Sequence, residues 1–117
     1  MSTIKIYHNP KCGTSRNTLA LIREHGEEPV VVLYLEKPPT RQELLAIIQA
    51  TGGSARDIMR SKEPLCSELG LSDPNRSDDD VVDAMLNHPI LINRPIVCTP
   101  KGTRLCRPAE LVLDLLA

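Results

Sequence analysis

Residues 3–26 read TIKIYHNPKCGTSRNTLALIREHG, and the change of pattern along this stretch decides the fold. The first five residues alternate and are rich in strand-forming side chains, which predicts a β-strand. A loop with proline and glycine follows, and after it apolar residues recur at helical spacing until Gly26. The sequence therefore predicts a strand, a short loop and a helix, with Cys12 at the junction of loop and helix.

The rest of the chain extends this unit. Residues 30–35 form a continuous apolar run, which is typical of a strand buried on both faces. Strand, helix and strand make a βαβ unit, whose crossover is right-handed in nearly all proteins. Two prolines then interrupt the chain, and capping patterns such as Thr40-Arg41-Gln42-Glu43 predict short helices over about residues 40–88. A hairpin over residues 96–106 and a final helix opening at Pro108 complete the pattern.

The predicted element order is β-α-β, a helical insert, then β-β-α. Without the insert this is a thioredoxin-like arrangement, an α/β fold in which a mixed sheet carries helices on both faces. We expect one domain over residues 1–117, with the insert at about 40–88. In that arrangement Pro95 opens the third strand beside the active-site cysteine, so Arg94–Pro95 is predicted to be a cis peptide bond.

The composition and charge of the chain exclude several classes of function and partner. The 117 residues carry 14 basic and 15 acidic side chains and a net charge of -1, which argues against nucleic-acid binding. No apolar run approaches the roughly 20 residues that span a bilayer, so no membrane partner is expected. The amino terminus runs directly into strand-like sequence without a signal-peptide pattern. The four cysteines have no C-x-x-C pair and no metal-like spacing with histidines. Reduced thiols, no bound metal or cofactor and a cytoplasmic location follow as expectations.

Cys12 is the expected nucleophile, because partial positive charge at a helix start favours thiolate over thiol. The following backbone amides, from Gly13 through Thr14 and Ser15 to Arg16, are placed to bind an anion. Gly13 allows close approach of the backbone, and Arg16 adds charge. The alternative is a buried structural thiol, which a polar loop flanked by proline and glycine does not favour.

The sequence allows two roles for each of two polar residues near Cys12. Ser15 stands where a dithiol oxidoreductase keeps its second cysteine, and it either donates to the thiolate or caps the helix. His8 ends the first strand, and it either favours the thiolate or is a surface residue. A single active-site thiol implies that any redox cycle needs an external thiol.

Three arginines lie at junctions between elements, where a planar guanidinium suits a tetrahedral oxyanion. They are Arg60, Arg94 and Arg107. In a chain with 14 basic residues this placement alone is weak evidence for a shared site. The three remaining cysteines, Cys66, Cys98 and Cys106, are expected to act as small hydrophobic residues.

Three stretches of the chain resemble the glutaredoxin-coupled arsenate reductases. They are Tyr7–Asn17 (YHNPKCGTSRN), His88–Val97 (HPILINRPIV) and Gly102–Pro108 (GTRLCRP). The resemblance implies a thioredoxin-like fold with an inserted helical region and runs through nearly the whole chain. It implies that Cys12 is the nucleophile and His8 its helper, and that the oxyanion is bound by Arg60, Arg94 and Arg107.

The resemblance also implies the reaction and the partners. Cys12 attacks arsenate, glutathione attacks arsenic, and glutaredoxin completes the reduction to arsenite. Two alternatives stay open. Regulators of the same fold family sense thiols and bind RNA polymerase, but they typically carry C-x-x-C, which Ser15 disfavours. A glutathione-dependent disulfide oxidoreductase has no need of three cations for a neutral substrate.

Overall fold

The computed structural model describes residues 3–116. The chain divides into two compact units: residues up to Lys37 together with those from Arg94 onward, and Pro38–Asn93. We call the first the sheet unit and the second the helical unit. The helical unit includes the whole predicted insert and extends slightly beyond it at both ends. The prediction of a single domain stays a prediction.

The sheet unit is built on a mixed sheet. Its strands in the described part of the chain are β1 (Lys5–Tyr7), β2 (Val30–Val32), β3 (Ile96–Thr99) and β4 (Gly102–Leu105), in the order β2-β1-β3-β4. β1 and β2 are parallel, whereas β1–β3 and β3–β4 are antiparallel. At the centre, Ile6 lies opposite Val31 on one side and Val97 on the other. The sheet confirms the predicted βαβ unit and hairpin.

Helix α1 (Gly13–Glu24) supplies one face of the core beside this sheet. It buries Ser15, Thr18, Leu19 and Ile22, the spacing that places side chains on one side of a helix. It packs against a carboxyl-terminal 3₁₀ helix, Ala109–Leu115. Truncating a fully buried side chain here, such as Ile22 to alanine, is expected to cost about 2–5 kcal/mol. The core cluster consists of Ile4, Ile6, Leu19, Ile22, Val97, Cys106, Val112, Leu115 and Leu116.

The helical unit begins with α2 (Arg41–Thr51), whose start is the predicted capping box. The Glu43 N–H donates to Thr40 Oγ1 at 3.2 Å, and the Thr40 N–H donates to Glu43 Oε1 at 3.0 Å. The helix ends at Gly52, whose φ of 78° is the left-handed conformation that glycine adopts without strain. The further helices are a 3₁₀ helix Ala55–Ile58, α3 (Pro64–Glu68), α4 (Asp78–Asn87) and a 3₁₀ helix Pro89–Leu91.

Two sequence-based expectations are wrong in detail. Val30 and Val31 are 46% and 36% exposed, because β2 is an edge strand that pairs only with β1 among the described strands. The strand also ends at Val32, and residues 33–36 turn away from the sheet. The predicted final helix is a 3₁₀ helix rather than an α-helix.

All helices are short, and α1, with 12 residues, is the longest in residues 3–116. None of the helices within this range has the length and apolar character that a membrane crossing requires.

Candidate active site

Cys12 is the residue immediately before α1, as the sequence predicts. Its backbone is extended, with φ −95° and ψ 121°, and the helix starts at Gly13. The Cys12 N–H donates to the Asn9 carbonyl at 3.0 Å, and the Cys12 carbonyl accepts from the Arg16 N–H at 3.0 Å. The cysteine is therefore held from both sides, by the loop before it and by the first turn after it.

Two arginines from the far end of the chain lie at its sulfur. Nη1 of Arg107 donates to Cys12 Sγ at 3.6 Å and also to the Arg94 carbonyl at 3.0 Å. The guanidinium of Arg94 makes a further hydrogen bond to Cys12. Arg94 lies just before β3 and Arg107 just after β4, so the two ends of the hairpin deliver both cations to one place. The structure thus brings together three of the residues that the resemblance identifies.

Both arginines precede a cis proline. The Arg94–Pro95 bond is cis, which confirms the sequence prediction. The Arg107–Pro108 bond is also cis, and no feature of the sequence had indicated it.

The surroundings of Cys12 change the pKa of its thiol in both directions. Partial burial raises the pKa. Hydrogen bonds from the Ser15 backbone N–H, Arg94 and Arg107, and the positive charge of Arg94, lower the pKa by more than burial raises it. The net effect lowers the pKa from 9.0 to about 7. A pKa of about 7 leaves a substantial share of Cys12 as the reactive thiolate at neutral pH.

His8 pairs with Ser15. Nδ1 of His8 lies 2.6 Å from Ser15 Oγ, and this hydroxyl also accepts the Asn9 N–H at 3.1 Å. Both His8 and Ser15 are buried. Ser15 is the third residue of α1, so it does not cap the helix. Its hydroxyl is hydrogen-bonded to His8, and its backbone N–H donates to Cys12.

His8 is neutral in this environment. Burial lowers its pKa below the usual 6.5, and the nearby charges of Arg23 and Arg16 lower it further. In the neutral tautomer whose Nδ1 carries no proton, the ring accepts the Ser15 hydroxyl proton, and the Ser15 oxygen accepts the Asn9 N–H. The lowered pKa of His8 disfavours the charged imidazolium, and its role as a helper of the Cys12 thiolate stays a prediction. Ser15 links His8 to Cys12, a connection that no sequence spacing reveals.

The remaining predicted residues are placed as follows. A side chain built at Gly13 would come no closer than 3.7 Å to another side chain, so the protein's own atoms leave open space there. Helix geometry leaves the first-turn N–H groups, including that of Thr14, without carbonyl partners in the helix. Arg16 donates from Nη1 to the Pro10 carbonyl at 2.9 Å. Arg60 belongs to the helical unit, where its Nε lies 3.6 Å from Glu63 Oε2.

Two of the other three cysteines are more buried than Cys12. Cys66 and Cys106 are buried and Cys98 is half-buried, and all four cysteines are free thiols. Burial, partly offset by Arg104, raises the pKa of Cys106 to about 12. Within residues 3–116 no group of three or more histidine, cysteine or acidic side chains is arranged to hold a metal ion.

A mixed sheet that presents a cysteine with a lowered pKa at the start of its first helix defines a thioredoxin-like thiol protein. Residues 7–115 match the ArsC family, and the chain belongs to that family. It is 62% identical over 114 residues to an arsenate reductase of Rhizobium meliloti (strain 1021), covering 97% of this chain and 81% of the relative. It is 60% identical over 116 residues to an arsenate reductase of Escherichia coli, covering 99% and 82%.

Solved structures agree on the fold. The arsenate reductase from Vibrio cholerae is 46% identical, superposes with a TM-score of 0.93, and is matched over 99% of this chain and 100% of that one. The thioredoxin-like α/β fold that the sequence predicts is therefore confirmed.

Proposed function

We propose that this chain is an arsenate reductase in which the Cys12 thiolate attacks arsenate and external thiols complete the reduction to arsenite. Membership of the ArsC family supports the reaction. The observation that carries the proposal is the pair of guanidinium groups, Arg94 and Arg107, on the sulfur of Cys12. Two cations at a nucleophile suit an anionic substrate that must approach an anionic sulfur.

Arsenate is bound as a tetrahedral oxyanion in this proposal. The guanidinium forks of Arg94 and Arg107 neutralise it, and the first-turn amides of Gly13 and Thr14 add N–H donors. Arg60 is the third cation, a role that rests on the family resemblance alone. No bound metal or cofactor is needed, since the cations and the helix start supply the positive charge.

The first chemical step is a substitution at arsenic. The Cys12 thiolate forms a sulfur–arsenic bond, and one arsenate hydroxyl leaves as water after taking a proton. Arsenic remains As(V) in this ester, so no electrons have yet been transferred. Glutathione then forms a second sulfur–arsenic bond, and another arsenate hydroxyl leaves as water. A glutaredoxin thiolate attacks the glutathione sulfur, and the electron pair of the broken sulfur–arsenic bond stays on arsenic, which becomes As(III). The two external thiols end as one disulfide, and water then displaces Cys12 from As(III), which releases arsenite and restores the thiolate.

His8 and Ser15 act as positioning residues in this scheme. Ser15 donates its backbone N–H to the sulfur and pairs its hydroxyl with His8 Nδ1, so the buried histidine holds the first turn of α1 against Cys12. The proposed place of action is the cytoplasm, which suits a protein whose four cysteines are all free. The proposed partners are arsenate, glutathione and glutaredoxin, with no nucleic acid and no membrane.

The experiment is a coupled assay with purified protein, glutathione, glutaredoxin, glutathione reductase and NADPH. Addition of arsenate is expected to start NADPH oxidation and arsenite release, and phosphate or sulfate is not. Cys12→Ser is expected to abolish the signal while the circular dichroism spectrum is unchanged. Arsenate-independent reduction of a mixed disulfide, or retention of RNA polymerase on the immobilised protein without arsenate turnover, would contradict the proposal in favour of the two alternatives.

A further inference from the structure

A cavity of about 280 Å³ lies in the sheet unit beside the segment that leads to Cys12. It is formed by two pieces of chain, residues 8–11 before the nucleophile and the turn that follows β2. Apart from His8, none of its residues has a role in the attack on arsenate. Its lining residues are His8, Asn9, Pro10, Lys11, Leu33, Leu35 and Glu36.

The lining combines an apolar wall with two opposite charges. Pro10, Leu33 and Leu35 supply the wall, and Leu35 is 41% exposed. Lys11 and Glu36 are both exposed, and neither forms an ion pair with any residue of the described chain, 3–116. The cation and the anion are therefore available to a ligand that carries both signs of charge.

Asn9 adds a polar group at the inner side. It is only 4% exposed, and its side-chain oxygen accepts the Lys11 N–H at 3.0 Å. No acceptor for its amide N–H₂ group occurs among the residues that the structure describes. An amide donor at a cavity wall is a further anchor for a ligand carbonyl or carboxylate.

We propose that this cavity binds glutathione, the peptide thiol that attacks arsenic after Cys12. Lys11 pairs with a glutathione carboxylate, Glu36 with its ammonium group, and the apolar wall contacts the peptide backbone. A zwitterionic tripeptide matches a cavity with one cation, one anion and an apolar wall. Arsenate does not, because it is repelled by the Glu36 carboxylate and gains nothing from contact with the leucines. Lys11 directly precedes Cys12 in the chain, so the cavity adjoins the segment that carries the nucleophile.

The inference rests on the proposed function, in which glutathione is the second thiol. The cavity volume lies near the lower end of pockets that hold small molecules, so it suits a tripeptide rather than a protein surface. The competing occupant, glutaredoxin, is an outcome of the experiment below.

The kinetic test compares Lys11→Met with Lys37→Met, a neighbouring exposed lysine that does not line the cavity. At saturating arsenate and glutaredoxin, Lys11→Met is expected to raise the KM for glutathione about tenfold, equivalent to about 1.4 kcal/mol. The KM for arsenate should change less than twofold, and Lys11→Arg should restore the KM for glutathione. The KM for glutathione of Lys37→Met should equal that of the wild type. Glutathione also reduces glutaredoxin in this assay, and because that step is the same for both variants, a difference between them reports on the cavity.

A binding test keeps this inference separate from arsenate turnover. S-methylglutathione, which cannot donate a thiol, is titrated into the Cys12→Ser protein and followed by ¹H–¹⁵N NMR. Shifts at residues 8–11 and 33–36 that disappear in Lys11→Met support the cavity, whether or not arsenate is reduced. Shifts elsewhere, or a Lys11→Met effect on the KM for glutaredoxin instead of glutathione, overturn it. Absence of arsenate reduction by the wild type would contradict the proposed function alone.

Discussion

Nη1 of Arg107 lies 3.6 Å from the sulfur of Cys12, although 95 positions separate the two residues in the chain. The same nitrogen donates to the Arg94 carbonyl at 3.0 Å, and this second hydrogen bond helps to orient the guanidinium toward the sulfur. A cation held at the nucleophile favours the thiolate before substrate arrives, and it is already in place to stabilise an oxyanion afterwards.

The first prediction concerns this contact. Alkylation of Cys12 by iodoacetamide, measured against pH, should have its midpoint near 7 in the wild type, the value to which the pKa is lowered. Because thiolate is the reactive form, the rate rises with pH through that midpoint. Arg107→Ala should move the midpoint upward by about one unit, since a hydrogen bond to a charged group is worth about 1.5–3 kcal/mol.

Arg104→Ala is the matched control for that experiment. Arg104 lies on the same hairpin, but its Nη1 pairs with Asp114 at 3.2 Å rather than with Cys12. Its midpoint should equal that of the wild type. An unchanged midpoint in Arg107→Ala, or an equal shift in both variants, would show that the contact does not control the thiol.

The second prediction concerns the buried pair of His8 and Ser15. Ser15→Ala leaves His8 Nδ1 and the Asn9 N–H without their partner in a dry environment, which should reduce the free energy of unfolding by about 1–3 kcal/mol. Ser67→Ala, at an exposed position of α3, should change it by less than about 0.5 kcal/mol. Urea denaturation measures both, and equal values for the two variants would contradict a structural role for the pair.

The third prediction concerns the oxyanion. Alanine at Arg60, Arg94 or Arg107 should lower kcat/KM for arsenate at least tenfold in each case, about 1.4 kcal/mol of transition-state stabilisation. Arg60→Lys keeps the charge but loses the planar guanidinium, so kcat/KM for arsenate should fall while the thermal unfolding midpoint changes little. Steady-state kinetics and thermal denaturation separate the two effects. Wild-type kinetics in all three alanine variants would rule out the proposed anion site.

The fourth prediction separates the four thiols. Cys12→Ser should be inactive, whereas serine at Cys66, Cys98 or Cys106 should retain most of the turnover. Burial raises the pKa of Cys106 to about 12, so it stays a protonated, unreactive thiol at neutral pH. Mass mapping after brief alkylation at pH 7.5 should find label on Cys12 first. Loss of activity in Cys106→Ser comparable to that in Cys12→Ser would be incompatible with a single catalytic thiol.

Much of the fold could be predicted because its signals are local. The capping box at Thr40 depends on side-chain chemistry within a few residues, and it is confirmed. The cis bond at Pro95 follows from the fold class. By contrast, the exposure of Val30 depends on which strands neighbour β2, and an apolar run alone does not reveal strand order.

The site divides in the same way. A cysteine before a helix is visible in sequence, and so is the serine that replaces a second thiol. The hydrogen bond between His8 and Ser15 and the contact of Arg107 with Cys12 depend on packing between distant segments. The place of Arg107 at a junction between elements was weak evidence among 14 basic residues, and the family resemblance identified it more specifically.

The most direct test of the account is the electron source. Reduction of arsenate takes two electrons, and Cys12 alone cannot supply both and return to its starting state. Ser15 occupies the place of a resolving cysteine, and its hydroxyl is bonded to His8. Turnover should therefore require glutathione and glutaredoxin together, and thioredoxin with its reductase should not replace them. Sustained arsenate reduction on thioredoxin alone would mean that a second cysteine of this chain reaches Cys12, and it would contradict the single-thiol mechanism.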